Sequence, residues 1–283
     1  MMVVSLLKRL VGGKKVVLEA PALVEDKDIR FPGDFNPYTL MEKSLRASGW
    51  FNDATGELFK GFTVSKEDMV LDAGCGGGSN ALFCARQGAH IVFADIDPAM
   101  VEETGRLLQA TAARQVEAVI TDANPLPMAD ETFTRIVSTE VIEHVAEPAA
   151  FLRELVRVGK PGALYLLAVP DASSEGILKR VAHPSYFEHP NHIRVVGREE
   201  FAQMVSAAGL EIVSHDFYGF FFTVWWSLYW SSHKDGLTPT GHATLNHWAA
   251  TWEALLQCEH GMRVKEALDL ALPKSQVIIA RKH

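Results

Sequence analysis

A run of glycines constrains the folding of this chain more than any other stretch. Residues 70–73 are apolar or small apart from Asp72, the next five positions hold four glycines, and an apolar-periodic segment follows at 81–86. This order predicts a strand, a tight turn and a helix N-terminus. Glycines let the backbone adopt conformations closed to other residues, and free N–H groups of the first helical turn then face a ligand. The stretch therefore predicts a binding site for a nucleotide-like molecule.

Composition indicates the class of protein in which this site lies. With 283 residues, of which 48% are hydrophobic and 22% charged, the chain can form one large globular domain or a core domain with an elaborated cap. Its 35 acidic and 27 basic residues give a formal charge of -8, which argues against a nucleic-acid partner. The three scattered cysteines indicate neither a disulfide framework nor a zinc cluster, and no secretory signal is evident. We therefore expect a cytoplasmic protein.

From residue 66 onward, strand-like and helix-like segments alternate. Short β-like runs lie at 69–72, 90–94, 116–120, 135–138 and 163–169, with helix-like segments between them. Asp97 followed by Pro98, and later Pro148, mark helix starts, since an acidic cap and a first-turn proline suit a helix N-terminus. A helix at 198–208 and strands at 210–217 and 276–280 complete the pattern. Such alternation implies right-handed crossovers and a mainly parallel α/β sheet.

Acidic residues stand at or just beyond the carboxyl ends of successive predicted strands: Asp72, Asp95, Asp122 and Glu140. Open α/β sheets bind their ligands at that edge. Asp95 is placed to accept both hydroxyls of a ribose, whereas Asp97 fits better as a helix cap. Asp122 is placed to receive an adenine amino group, and the Ala123 amide offers a donor to the ring. Each acid alone also suits a turn, but their shared position at the ends of successive strands favours a ligand site.

Two kinds of adenosine ligand compete for such an edge. A dinucleotide site requires G-x-G-x-x-G facing a pyrophosphate, but here glycines stand at positions 74, 76 and 78, and Ser79 follows. Acids are poor neighbours for a pyrophosphate, and they suit a ligand with a positive centre and an amino group. The segments VLDAGCGGGSN, FADIDPAM, ITDANPLPMADETF and STEVIEHV resemble the successive motifs of the class I S-adenosylmethionine-dependent methyltransferases, especially the branch that includes ubiquinone-biosynthesis enzymes. The resemblance covers residues 66–170 and, more weakly, 192–213.

The resemblance implies a fold and a set of cofactor contacts. The fold is a doubly wound, Rossmann-like α/β sheet of order 3-2-1-4-5-7-6, in which the seventh strand, at 276–280, is antiparallel. Asp72 would lie near the amino group of the cofactor through water, and Asp95 would hold the ribose. The residues implied to bind S-adenosylmethionine, and S-adenosylhomocysteine as product, are Asp72, Gly74, Cys75, Gly76, Asn80, Asp95, Ile96, Asp122, Ala123, Thr139 and Glu140. Thr134 and Arg135 depart from the usual pattern, in which an acid follows the turn, but they lie before the strand.

Methyl transfer from a positive sulfur needs in-line positioning, exclusion of water and, for a protonated acceptor, a base. The candidate bases are His144, beyond the fourth strand, and His192, because a neutral imidazole suits proton removal near pH 7. Each histidine also has a purely structural interpretation. Glu140, Glu143 and His144 resemble a set that some ubiquinone O-methyltransferases use for a divalent metal, but many relatives carry the same letters without one. We therefore expect no resident metal.

The remaining segments bear on the acceptor. Residues 217–230 are uncharged and intensely aromatic, and as a helix they are too short to span a bilayer of ~30 Å. They suit the core of a cap, an acceptor pocket or a membrane interface, in that order. A helix-periodic segment at 245–256 is expected to cover them. The predicted organisation is an N-terminal lead-in at 1–62 with an amphipathic basic helix near residues 6–11, a core at 63–218 and 274–283, and a cap at 219–273.

These features predict an S-adenosylmethionine-dependent methyltransferase that acts on oxygen or nitrogen of a small, aromatic or lipidic acceptor. The cap and the basic N-terminus together leave open a transient contact with a membrane surface. Two other interpretations remain at this level: a non-catalytic binding or scaffold protein that keeps the cofactor fold, and an NAD-dependent oxidoreductase. The sequence indicates no oligomeric state.

Overall fold

Alternating strands and helices occupy most of the chain, as the sequence predicts. The computed structural model describes residues 37–232 and 243–283. In chain order the strands are β1 (Trp50–Asn52), β2 (Glu57–Phe59), β3 (Phe62–Thr63), β4 (Met69–Ala73), β5 (His90–Asp95), β6 (Gln115–Ile120), β7 (Phe133–Thr139), β8 (Gly159–Pro170), β9 (Leu210–Tyr218) and β10 (Ser275–Lys282). The helices are α1 (Pro37–Ala47), α2 (Ser79–Arg86), α3 (Pro98–Leu108), α4 (Pro148–Val158), α5 (Ala172–Val181), α6 (Arg198–Ala207), α7 (Phe220–Ser232), α8 (Ala243–Gln257) and α9 (Gly261–Ala271). Short 3-10 helices lie at Ile142–His144 and Pro184–Phe187.

The seven-stranded sheet has the order β6-β5-β4-β7-β8-β10-β9. The strands β6, β5, β4, β7 and β8 are parallel, and β10 pairs antiparallel with both β8 and β9. Counted from β4 as the first strand, this is the predicted order 3-2-1-4-5-7-6, so the predicted fold class is confirmed. The register places Ala73 opposite Ala94, and Asp95 opposite Ile120. The carboxyl ends of these strands therefore meet at one edge.

Alternating side chains along the strands form two cores, one on each face of the sheet. On β4, Val70 packs into one cluster and Leu71 into the other, and on β8 the neighbours Leu166 and Leu167 divide in the same way. Such uninterrupted apolar runs are typical of strands that are covered by helices on both faces. At the start of α3, the Asp97 carboxylate accepts a hydrogen bond from the amide of Ala99, which confirms its predicted role as a helix cap.

The described part of the lead-in holds a small sheet that the sequence did not reveal. Strands β1, β2 and β3 form an antiparallel sheet of three, where we expected a mixture of loops and helix. These strands are only two or three residues long, too short for a period-two pattern to be visible. Trp50 of β1 and Phe59 of β2 pack on Tyr218 of β9, which attaches the small sheet to the core. The basic helix predicted near residues 6–11 lies outside the described residues.

The aromatic stretch at 217–230 forms the end of β9 and most of α7, and it is largely buried. Phe221, Trp225 and Tyr229 of α7 are almost fully buried. Helix α8 covers them as predicted: Trp248 stacks on Phe221 with ring centroids 5.9 Å apart, and Trp252 lies at the same distance from it. The interpretation as cap core therefore describes most of this stretch. Among the described helices, none has the length and apolarity needed to cross a bilayer, and contact with a membrane surface stays a prediction.

A buried lysine connects the cap to the lead-in. Lys265 of α9 is 1% exposed, and its ammonium donates to the carboxylate of Asp269 at 2.5 Å and to the hydroxyl of Ser48 at 2.7 Å. The other carboxylate oxygen of Asp269 accepts from the amide of Phe220, at the start of α7, at 2.8 Å. Three segments thus meet at one buried ion pair, and removal of either charge leaves the other without compensation.

Replacing this lysine is therefore expected to weaken the fold. We expect Lys265→Met to lower the free energy of unfolding by about 3 kcal/mol, because it leaves the Asp269 carboxylate buried and unpaired. Lys43→Met provides the control, since Lys43 makes an exposed ion pair with Glu253, and such pairs contribute less than about 1 kcal/mol. Urea unfolding followed by circular dichroism measures both. Similar losses in the two variants would contradict the anchoring role of Lys265.

Candidate functional site

The glycine turn between β4 and α2 lies at the carboxyl edge of the sheet. Gly74, Gly76 and Gly78 have φ values of +79°, +48° and +76°, a region that side chains other than glycine rarely adopt. A Cβ atom on Gly74 would stand 2.3 Å from a methyl group of Val141, whereas one on Gly76 would meet nothing within 4 Å. Gly74 therefore allows close packing behind the turn, and Gly76 leaves room in front of it.

Asp95, the last residue of β5, holds this turn in place. Its Oδ2 accepts a hydrogen bond from the amide of Gly76 and its Oδ1 from the amide of Asp97, each at 2.9 Å. The neighbouring Ile96 is 62% exposed and also faces the cavity at this edge. A buried carboxylate and an exposed apolar side chain thus lie side by side.

Asp72 lies away from the cavity, unlike the other predicted cofactor residues. It is 1% exposed, and its Oδ2 accepts from the amide of Ala81 in α2 at 3.0 Å. Its Oδ1 has no hydrogen-bond partner among the described residues. Burial raises the pKa of Asp72 to about 7, although the hydrogen bond from the Ala81 amide acts to lower it. The side chain therefore supports the turn from behind, and its predicted approach to an amino group stays a prediction.

The third strand end carries Asp122 and Ala123, both of which line the cavity. Asp122 accepts from the amide of Asn124 at 3.1 Å. Ala123 has a φ of +59°, and its amide donates to the hydroxyl of Thr121 at 3.0 Å. A turn within the same segment thus uses this amide in the structure, and its predicted role as a donor to an adenine ring stays a prediction.

Around the fourth strand end, buried polar groups are only partly satisfied. The amide side chain of Asn80 donates to the hydroxyl of Thr139 at 2.9 Å. Glu140 has a φ of +56°, and its Oε2 accepts from the ammonium of Lys274 at 3.4 Å. Its Oε1 is buried without a hydrogen-bond partner among the described residues. Burial raises the pKa of the nearby Cys75 thiol, which keeps it protonated. The unpartnered Glu140 oxygen fits a ligand that carries positive charge.

His144 and His192, the predicted bases, come together on the far side of Glu140. Their ring centroids lie 5.0 Å apart, edge to face. His144 donates through Nδ1 to the carbonyl of Pro190 at 3.0 Å. Its pKa is lowered, chiefly by burial and next by the charge of His192. His192 is hydrogen-bonded through Nδ1 to Glu175 Oε2 at 2.9 Å.

The sequence analysis missed three residues of this network. Glu175 lies in the first turn of α5, Tyr186 in the second 3-10 helix, and Lys274 directly before β10. The Tyr186 hydroxyl donates to Glu175 Oε1 at 3.1 Å, and the Lys274 ammonium lies 4.0 Å from the same oxygen. None of the three belongs to a recognisable motif, so only their distribution in space reveals them.

Glu143 is fully buried, and neither of its carboxylate oxygens has a hydrogen-bond partner among the described residues. Burial, followed by the charge of Glu140, raises its pKa well above the usual range, so the carboxyl is neutral. Glu143, His144 and His192 each offer one atom that could bind a metal ion, and these three atoms lie within 4.8 Å of one another. The metal-binding set considered from the sequence contained Glu140 together with Glu143 and His144. In the structure, the carboxylate of Glu140 pairs with the ammonium of Lys274. The expectation of no resident metal stays a prediction.

A single cavity of about 880 Å³ joins these groups. Apart from Asp72, all predicted cofactor residues and both histidines line it. Its opposite wall is aromatic and combines residues from the lead-in, β9 and the cap, namely Trp50, Phe51, Tyr218, Phe222 and Trp226. The cavity therefore has a polar end at the strand termini and an apolar end beneath the cap.

Comparison with known proteins supports this picture. A family profile described as a methyltransferase domain matches residues 35–215. The ubiquinone biosynthesis O-methyltransferase of Parvibaculum lavamentivorans is 40% identical over 103 residues, which are 36% of this chain and 40% of that protein. Methyltransferase GfsG of Streptomyces halstedii is 34% identical over 130 residues, 45% of this chain and 46% of that protein. The matched segments thus span less than half of each relative's length.

Solved structures share the fold at low sequence identity. A methyltransferase dependent on S-adenosylmethionine from Methanosarcina mazei has a TM-score of 0.50 and 17% identity, covering 77% of this chain and 94% of that one. The [4+2]-cyclase SpnF has a TM-score of 0.52 and 19% identity, covering 87% and 93%. The family match covers more than half of the chain and includes every residue of the glycine turn and of the acidic strand ends. The chain therefore belongs to the methyltransferase domain family.

Proposed function

We propose that the protein is an S-adenosylmethionine-dependent methyltransferase that methylates an oxygen or nitrogen atom of a small aromatic or lipidic acceptor, which binds at the apolar end of the cavity. The observation that carries this proposal is the continuity of the cavity from the acidic strand ends to the aromatic wall. A cofactor at the first end and an acceptor at the second would meet near Glu140 and the two histidines. The oxidoreductase interpretation does not agree with the family to which the chain belongs, and the methyl-transfer assay described below tests the scaffold interpretation.

In this proposal, S-adenosylmethionine supplies a methyl group that its positive sulfur has already activated. The carboxylate of Asp95 would hold the ribose hydroxyls, and Asp122 with Ile96 would border the adenine. The open face of Gly76 would admit the methionine part, because no side chain fills the space in front of it. The unpartnered oxygen of Glu140 would face positive charge. These residues bind and orient, which is the main contribution that a protein makes to this transfer.

The acceptor would be held by shape and by aromatic contact. Trp226 and Phe222 reach the cavity from α7, while Trp50 and Phe51 reach it from the lead-in. Aromatic rings pack well against a planar ring and also exclude water from the reacting atoms. The relative from Parvibaculum lavamentivorans is named for ubiquinone biosynthesis, which supports a hydroxylated ring with an apolar substituent as the class of acceptor.

Binding of the product cofactor tests the nucleoside end of the cavity. Titration calorimetry with S-adenosylhomocysteine is expected to show binding that Asp95→Asn weakens about tenfold to a hundredfold, since a hydrogen bond to a charged group contributes about 1.5–3 kcal/mol. Asp97→Asn is the control, because asparagine also caps helices well and Asp97 does not line the cavity. Absence of binding to the unaltered protein would contradict the proposed function, and equal effects of both substitutions would contradict the role of Asp95.

Truncation of the aromatic wall tests the acceptor end. With tert-butylcatechol as a probe acceptor, we expect Trp226→Leu to raise KM about tenfold through lost apolar contact, while the affinity for S-adenosylhomocysteine changes little. Trp230→Leu, in the same helix but outside the cavity lining, controls for general weakening of the cap. Transfer of labelled methyl groups measures both variants. A loss of cofactor affinity in Trp226→Leu, with KM for the acceptor unchanged, would contradict binding of the acceptor at this wall.

A further inference from the structure

A buried carboxylate fixes the orientation of His192. The Nδ1 atom of His192 lies 2.9 Å from Glu175 Oε2, and the Tyr186 hydroxyl donates to the other oxygen of the same carboxylate. Although burial acts to raise it, the pKa of Glu175 is lowered by the hydrogen bond from His192 and by the charge of Lys274, so the carboxylate is ionised. An ionised carboxylate only accepts hydrogen bonds, and Nδ1 must therefore carry the proton. The Nε2 atom is left with a free lone pair, which is the state that a general base needs.

Charged side chains of both signs lie near His192. The carboxylate of Glu175 is hydrogen-bonded to its Nδ1, and the ammonium of Lys274 pairs with Glu140 and lies 4.0 Å from Glu175. These three side chains carry two negative charges and one positive charge, so their formal charges sum to minus one. A positive charge that His192 gains with a proton is therefore balanced by its neighbours.

His144 lacks such compensation. The partner of its Nδ1 proton is a neutral carbonyl, that of Pro190, rather than a carboxylate. Burial and the neighbouring His192 lower its pKa, so its neutral form is favoured. Its Nε2 lies 3.7 Å from Glu143 Oε1, a carboxyl that is itself neutral. Of the two histidines that line the cavity, only His192 has the carboxylate partner that stabilises an imidazolium.

We propose that His192, positioned by Glu175, accepts the proton that the acceptor loses during methyl transfer. This inference rests on the proposed function. The O–H or N–H bond of the acceptor breaks and its proton moves to Nε2 of His192. The freed electron pair forms the new bond to the methyl carbon, and the pair of the broken carbon–sulfur bond stays on sulfur. The positive charge that sulfur loses therefore reappears on the imidazolium, and the total charge of the site is unchanged. The proton then leaves to solvent.

Nitrogen NMR tests the positioning of His192 without any acceptor. In ¹⁵N-labelled protein saturated with S-adenosylhomocysteine, we expect neutral His192 to be the Nδ1–H tautomer, and its signals are assigned by their loss in His192→Asn. In Glu175→Gln, its titration is expected to shift to lower pH by about one unit, since a nearby opposite charge moves a titration by about 1–3 units. An Nε2–H tautomer, or a titration that Glu175→Gln leaves unchanged, would overturn the proposal.

A pH profile tests the proton transfer itself. With tert-butylcatechol as acceptor, we expect His192→Asn to lower kcat by about 10²–10⁴-fold at neutral pH, and the loss to shrink as pH rises and the catechol ionises in solution. Glu175→Gln is expected to give a smaller loss of the same kind. His183→Asn, an exposed histidine outside the cavity lining, is the matched control and is expected to leave the profile unchanged. A loss in His192→Asn that is the same at every pH, or no loss, would overturn the proposal.

The two hypotheses fail in different ways. If the unaltered protein does not bind S-adenosylhomocysteine in calorimetry, the proposed function is wrong. If it binds the product and methylates the catechol, but His192→Asn retains both its rate and its pH profile, the function stands and the assignment of His192 is wrong. Retained product affinity in His192→Asn and Glu175→Gln also separates a loss of proton transfer from a loss of folding.

Discussion

The contact between Asp95 and the amide of Gly76 is the one on which the candidate site depends. The turn after β4 needs glycines with positive φ, and such a backbone keeps a single shape only where its surroundings determine it. Asp95 supplies that constraint by accepting from Gly76 and from Asp97. It can do so because the parallel pairing of β4 with β5 places the two strand ends side by side. Sheet register, turn conformation and ligand site are thus consequences of one arrangement.

Local pattern was sufficient to predict the alternating strands and helices, whereas the order of the strands and the antiparallel strand were implied by the resemblance to a known family. Strands of five or more residues that alternate with helices carry patterns that survive in the sequence alone. Strands β1 to β3 carry none, because two or three residues cannot show a period. The position of the acidic end of the cavity was also predictable, since its acids follow successive strands. Asp72 is the exception, because its carboxylate turns toward the Ala81 amide beneath the turn.

The hydrogen-bond network around His192 was far less predictable, for a physical reason. Glu175, Tyr186 and Lys274 come from a helix, a 3-10 helix and the residue before the last strand, and packing alone brings them to His192 and Glu140. The sequence analysis named both His144 and His192 as candidate bases and could not decide between them. The structure supplies His192 with a carboxylate partner that His144 lacks. Hydrogen-bond partners between distant segments decide such roles, and no spacing rule encodes them.

Lys274 relates the charge inside the cavity to the position of the cap. It is the residue at which the chain returns from the cap to the sheet, and its ammonium is the cation paired with Glu140. Any movement of the cap that withdraws this residue would leave Glu140 uncompensated and make the interior of the cavity more negative. The pairing of Lys274 with Glu140 thus links the position of the cap to the charge that the cavity presents to a positively charged ligand.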